Sequence, residues 1–247
     1  TPAPGSQVNY DNGVQHGNSQ VSFSHDDSSD DQPWGHVWAI DPKDRFRIVF
    51  ANIGGFPVDS RDPKMEAIQH YTMALNAQAI GLTECNVHWK KVPAFARLHE
   101  RTMGWFEALG INTAYFERYA AGAPFQPGGV SLWSIGVGVH RTQSTGQDSS
   151  GLGRWAWTRY RGRQGINLRV VTAYRPVLNT SGALSVWSQQ KSHFEAQDDD
   201  RCPRDIFIVD ILKEVQAWKE EGDQIVIGID ANEDVRTGKL AKAFRDE

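Results

Sequence analysis

Cysteine is nearly absent from this chain: Cys85 and Cys202 are the only two in 247 residues. So few thiols argue against a disulfide framework and are too few for a cysteine-based zinc site. They fit a reducing intracellular compartment, the nucleus included. Long apolar runs are missing as well, and none approaches the roughly 20 residues needed to cross a bilayer. The polar N-terminus carries no apolar leader core, so no secretory signal and no membrane partner are expected. Positive charge is in deficit, with 26 Lys and Arg against 30 Asp and Glu and a formal charge of −4. Taken whole, that balance argues against a polyanionic partner.

The distribution of charge changes this picture. The first 35 residues hold five Asp (Asp11, Asp26, Asp27, Asp30, Asp31) and no Lys or Arg, which leaves 26 basic against 25 acidic residues elsewhere. Residues 1–44 are rich in Gly, Ser, Asn, Gln and Asp without sustained periodicity. They read as a disordered acidic tail, because such a composition buries too little apolar area to offset ordering entropy. The domain is expected over 45–247, long enough for one sizeable core. No internal repeat or low-complexity linker divides it. Arg154, Arg159, Arg161 and Arg163 crowd one hairpin-like stretch with Trp155, Trp157 and Tyr160. Basic side chains attract phosphates and aromatic faces stack on bases, so these four arginines are candidate substrate-binding residues. An ordinary solvated hairpin with inward aromatics is the alternative.

Periodicity predicts strands at 46–53, 79–83, 113–117, 129–139, 154–160, 166–174 and 224–229. Helices are predicted at 63–77, 93–105, 184–197 and 204–220, with another beginning near Thr237. The helix at 204–220 is well marked: Pro203 precedes it, Ile208, Ile211, Leu212, Val215 and Trp218 recur at helical spacing, and Gly222 lies beyond its end. Strands in the middle with helices on either side favour a sheet-on-sheet core covered by helices.

Four apolar strands run into polar side chains. The run 224–232, QIVIGIDAN, ends in Asp230 and Asn232, whose spacing by two places them on one side if the strand continues. Residues 46–53, FRIVFANI, end in the amide Asn52 before Gly54 and Gly55; 79–84, AIGLTE, end in Glu84; and 169–174, RVVTAY, exit through Tyr174 and are stopped by Pro176. Asp and Asn also close strands simply because they tolerate tight turns. Four such endings point further, since the ends of strands in α/β sheets are where ligands bind. Asn86 and His88 follow Glu84 closely and are minor candidates for the cleft wall. His140 and His193 read as surface or packing residues.

In order and spacing, "FANIGG", "LTECN", "TAYRP" and "GIDANED" resemble the motifs of the endonuclease/exonuclease/phosphatase superfamily, the deoxyribonuclease-I-like fold, over residues 45 to 235. With "SVWSQQ" and the long helix that follows, the chain looks most like the endonuclease domains attached to retroelement reverse transcriptases. The resemblance implies an α/β four-layer αββα sandwich and a Mg²⁺-dependent phosphodiester hydrolase, with Mn²⁺ as a substitute ion. It implies Glu84 and Asn52 at the metal, Asp230 positioning the attacking water, Asn232 and Tyr174 donating to phosphate oxygens, and DNA or another phosphodiester as substrate.

Two departures from that pattern stand out. The Asp-His pair expected downstream is missing, since no histidine follows His193. The chain therefore reads as C-terminally truncated, with poor DNA cleavage and self-association through an uncovered C-terminal edge as expectations. A catalytically incomplete binding or scaffold module and a small-molecule phosphatase remain the alternatives. The other departure is Ile229 directly before Asp230, with glycine set one position back at Gly228.

Overall fold

The computed structural model describes residues 45–56, 63–118, 124–180, 182 and 184–246. The acidic segment read as a tail lies outside them. Among the described residues, eight strands form two four-stranded sheets. The first holds β1 (Ile48–Asn52), β2 (Ala79–Thr83), β3 (Leu109–Ala114) and β4 (Val130–Ile135) in the order β1-β2-β4-β3. The second holds β5 (Thr142–Gln147), β6 (Trp155–Arg161), β7 (Asn167–Tyr174) and β8 (Gln224–Asp230) in sequential order. Each sheet carries one parallel pair, β1 with β2 and β7 with β8.

Alternation along the strands sorts side chains into layers. Ala79, Ala114, Val130, Leu132, Ala156, Val170 and the rings of Tyr160 and Tyr174 fill the space between the sheets. Ile80, Leu82, Trp133 and Ile135 point the other way, where they meet Met65 and Ile68 of α1 (Pro63–Ala74). On the far side of the second sheet, Trp155, Val171 and Ala173 pack on Phe207, Ile211 and Trp218 of α5 (Pro203–Glu220) and on Leu240 of α6 (Lys239–Asp246). Helix, sheet, sheet and helix thus stack as four layers, the expected αββα sandwich.

Several elements depart from the sequence reading. The helix expected over 93–105 is replaced by a 3₁₀ turn, Ala94–Ala96, and the short α2 (Leu98–Arg101), with another 3₁₀ turn, Trp89–Lys91, just before them. Pro93 and Arg97 both adopt extended backbone there and interrupt it. The broken path lets Val92, Ala96, Leu98 and Trp105 reach the Trp133 cluster. β3 begins four residues earlier than predicted, and α3 (Val137–Arg141) replaces the second half of the long strand expected at 129–139. Gly136, at φ 51°, makes that turn. β5, TQSTGQ, was not expected, being an edge strand of polar residues that no apolar alternation announces. α4 (Val186–Glu195) matches its prediction, with Ser185 as N-cap accepting from Ser188 N.

The glycine set back at 228 has a steric reason. The Phe50 ring of β1 reaches across to the second sheet, and a Cβ at Gly228 would lie 2.1 Å from its Cδ1, while one at Gly81 would lie 2.5 Å from the same atom. Both glycines clear space for one ring between the two parallel pairs. Gly228→Ala should therefore destabilise by about 1–3 kcal/mol through overpacking. Adding Phe50→Ala should remove most of that penalty; additive losses in urea unfolding would mean that the ring is not the obstacle.

Candidate active site

The two parallel pairs finish at the same end of the sandwich. In the first sheet Asn52 is registered with Thr83, the residue before Glu84, and in the second Tyr174 is registered with Asp230. The sheets are joined there by a hydrogen bond in which Asn52 Nδ2 donates to Asp230 Oδ2 at 2.7 Å. Asn52 Oδ1 accepts from Gly54 N at 2.9 Å, which fixes the amide orientation. Lys64 Nζ donates to the Ile53 and Gly55 carbonyls, pinning the loop beyond. A cleft of about 250 Å³ opens beside this contact, lined by Phe50, Asn52, Thr83, Gly228, Ile229 and Asp230.

Glu84 and Tyr174 complete the cluster. The Tyr174 hydroxyl is hydrogen-bonded to Glu84, and the phenol is pushed well above its ordinary range by burial first, then by the Glu84 and Asp230 charges. It stays a donor throughout the neutral range. Glu84 adopts φ 53° and Asn86 φ 57°. A left-handed glutamate is uncommon, and such residues persist where their surroundings over-determine them. Here Cys85 N donates to Gly129 O, Asn86 N to Gly128 O, and Gly128 N returns a bond to Asn86 Oδ1 at 2.7 Å.

Asn232 is placed differently from the strand-alternation argument. β8 ends at Asp230, and Asn232 sits beyond it in a left-handed turn at φ 49°. Its Nδ2 donates to the Arg175 carbonyl at 2.7 Å. Turn geometry, not strand parity, sets its position.

Of the four hairpin arginines, Arg154 stands at this end of the sheet, its carbonyl accepting from Tyr174 N at 2.8 Å, but its guanidinium is engaged elsewhere. Arg154 is buried, paired with Asp148 and Asp210 and stacked on Trp155. Arg159 is bound to Asp223. Arg161 and Arg163 are exposed, but Arg161 is registered with Asn167, at the opposite end of the β6–β7 pair from Tyr174. At about 3.3 Å per residue, the seven positions from Asn167 to Tyr174 separate Arg161 from the site end by roughly 23 Å. The exposed charge of Arg161 lies away from the cleft. His88 also turns inward, with Nε2 against the Glu117 carbonyl and its ring on Tyr115.

The donor set suits a hard divalent cation, which takes oxygen ligands and commonly needs only one or two protein carboxylates. Glu84, Asp230 and the Asn52 carbonyl oxygen are such donors. Among the described residues no three His, Cys, Asp or Glu gather into a closed cage. Among the described residues, too, no helix is long and apolar enough to cross a membrane.

No protein-family model and no curated protein matches the chain. Solved structures of similar fold include the human Nocturnin catalytic domain with bound sulfate anion, at TM-score 0.45 and 14% identity over 72% of this chain and 59% of that one. Another is Danio rerio TDP2 complexed with single strand DNA product, at TM-score 0.46 and 12% identity over 81% and 64%. A third is an endonuclease/exonuclease/phosphatase family protein from Bacteroides thetaiotaomicron, at TM-score 0.45 and 10% identity over 81% and 68%. The chain thus spans 59% of the Nocturnin domain's length. Its architecture rests on the strand order and layers described above.

Proposed function

We propose that this strand-end cluster hydrolyses phosphodiesters with a divalent metal, Mg²⁺ first and Mn²⁺ as substitute, and that its substrate is DNA, in the manner of a retroelement endonuclease. The observation that carries the reading is the Asn52–Asp230 hydrogen bond, which ties two strand pairs from different sheets into one acid-amide cluster. Glu84 and Asn52 would hold the ion, which when bound stabilises charge on the phosphate and on the leaving oxygen. Asp230 has one oxygen engaged by Asn52 and a second to orient the attacking water. Tyr174, kept protonated, and Asn232, fixed through Arg175, are donors for oxygens on which negative charge develops. The retroelement assignment is supported by the order of the four motifs and by "SVWSQQ" at the start of α4.

The test is relaxation of supercoiled plasmid by the full chain. Slow cleavage, as the missing downstream Asp-His pair implies, is expected with Mg²⁺, none with EDTA, and at least about 10²-fold less with Glu84→Ala. Cleavage indifferent to both treatments would sink the proposal. Hydrolysis of a simple phosphate ester without DNA cleavage would assign a phosphatase, and DNA binding with neither activity a binding module.

A further inference from the structure

Arg175 contacts four consecutive residues around the β8 exit. Its backbone N donates to Asp230 O at 3.0 Å, and its Nη1 approaches Ala231 O at 3.5 Å. Its carbonyl receives Asn232 Nδ2, and Nη1 also pairs with Glu233 Oε2. The side chain is 1% exposed, so this guanidinium is committed to the interior. Arg204, near the start of α5, closes the other side: Nη2 donates to Asn232 O at 3.1 Å and lies 3.5 Å from Glu233 Oε2. Arg175 Nε donates to Arg204 O at 3.1 Å, and Arg204 Nη1 to Pro176 O, so the two arginines are linked through backbone as well.

Glu233 is the centre of this arrangement. While Oε2 takes both arginines, Oε1 accepts Leu240 N at 2.7 Å and so caps the first turn of α6. Room for the carboxylate is made by Gly238, where a Cβ would fall 2.4 Å from Glu233 Cδ. One carboxylate thus draws together the exit of β7, the start of α5 and the start of α6, with Asn232 in its left-handed turn between them. A buried arginine with one anionic partner holds its geometry strongly, because breaking the pair leaves an uncompensated charge. Asn232 has its side-chain nitrogen directed at the Arg175 carbonyl and its backbone carbonyl gripped by Arg204, so side chain and backbone are both held.

We infer that Glu233, with Arg175 and Arg204, is a positioning clamp that fixes the Asn232 amide for the transition state, without itself touching the substrate. This rests on the proposed hydrolase reading for its consequence in catalysis, though the clamp itself can be read without activity. If the clamp acts through Asn232, removing either should cost turnover while removing both should cost little more, the signature of groups that work as a unit.

The experiment is a double-mutant cycle on the full chain with supercoiled DNA and Mg²⁺, accompanied by hydrogen exchange of the Asn232 side-chain amide followed by NMR. Glu233→Gln alone should lower kcat by about tenfold or more with KM within about threefold, and in an Asn232→Ala background by less than about twofold. The Asn232 Nδ2 protons should exchange about tenfold faster or more in Glu233→Gln than in the parent. If Glu233→Gln fails to fold, Arg204→Lys, which keeps the Arg175–Glu233 pair, should give the same non-additivity and faster exchange. Multiplying effects on kcat, or exchange unchanged in the clamp variants, would overturn the inference. A parent chain with no Mg²⁺-dependent cleavage would end the hydrolase reading instead, and the exchange rates alone would then decide the clamp.

Discussion

Asp223→Ala is expected to destabilise the domain by about 3–5 kcal/mol, the effect typical of stripping the partner from buried charge. Asp223 has a fully buried side chain at the base of β8 and receives two arginines. Arg169, 2% exposed, donates from Nε at 2.8 Å and approaches with Nη2 at 2.7 Å. Arg159 donates from Nε to both carboxylate oxygens. Arg169 is moreover held over two indoles, with Cζ 4.2 Å from the Trp157 ring and 5.1 Å from that of Trp218, so it cannot swing to water without opening the face packed on α5. Its remaining anion, Glu221, is on the surface with half of its side chain exposed and cannot compensate for the buried end. Asp223→Asn keeps an acceptor and should lose distinctly less than Asp223→Ala. Urea unfolding decides the matter, and a loss below about 1 kcal/mol for the alanine variant would mean that Arg169 finds water or Glu221 without strain.

That ion cluster also explains why the basic hairpin misleads when read from sequence. Arginines alternating with Trp and Tyr along one strand look like a phosphate-binding face. What the sequence does not display is that Asp148, Asp210 and Asp223, remote in the chain or in the next turn, come to Arg154 and Arg159 once the sheet is assembled. Charge pairing across 64 residues is a property of topology. Local composition carries no trace of it.

The strands that deliver the site were legible for the opposite reason. β2 and β7 are buried almost throughout and β8 is half-buried, so each has to be an apolar run, and each ends where that run ends. α5 was legible because amphipathic spacing, an N-terminal proline and a terminal glycine agree on its bounds. β5 was not, because an edge strand needs no apolar face. Asn86, Arg175 and Glu233 were equally hidden as supporting residues, since their roles lie in hydrogen bonds made only on folding, among them those with Gly128, Asn232 and Leu240. The nearest local sign is that asparagines tolerate the left-handed backbone found at positions 86 and 232. Position 84 takes the same backbone with a glutamate, which no propensity would suggest.

Asp230→Asn should be the most damaging conservative change at the cleft, lowering kcat by about 10²–10⁴ with KM within about threefold. The amide oxygen of the variant can still accept from Asn52 Nδ2, so the contact between the sheets survives and the fold is unaffected. What disappears is the negative charge at the oxygen left over for water, and with it the pull that aligns a nucleophile and receives its proton. Tyr174→Phe should cost less, about 10- to 100-fold, because it removes one donor among several while leaving the buried ring in the inter-sheet core. The ordering separates chemistry from architecture: Asn52→Ala breaks the link between sheets and should depress both turnover and melting temperature, whereas Asp230→Asn should depress turnover alone. Single-turnover cleavage with Mg²⁺, paired with thermal unfolding of each variant, reads both quantities. If Asp230→Asn cleaves within about threefold of the parent, Asp230 is not the water-positioning residue and the Asn52–Asp230 bond is structural only.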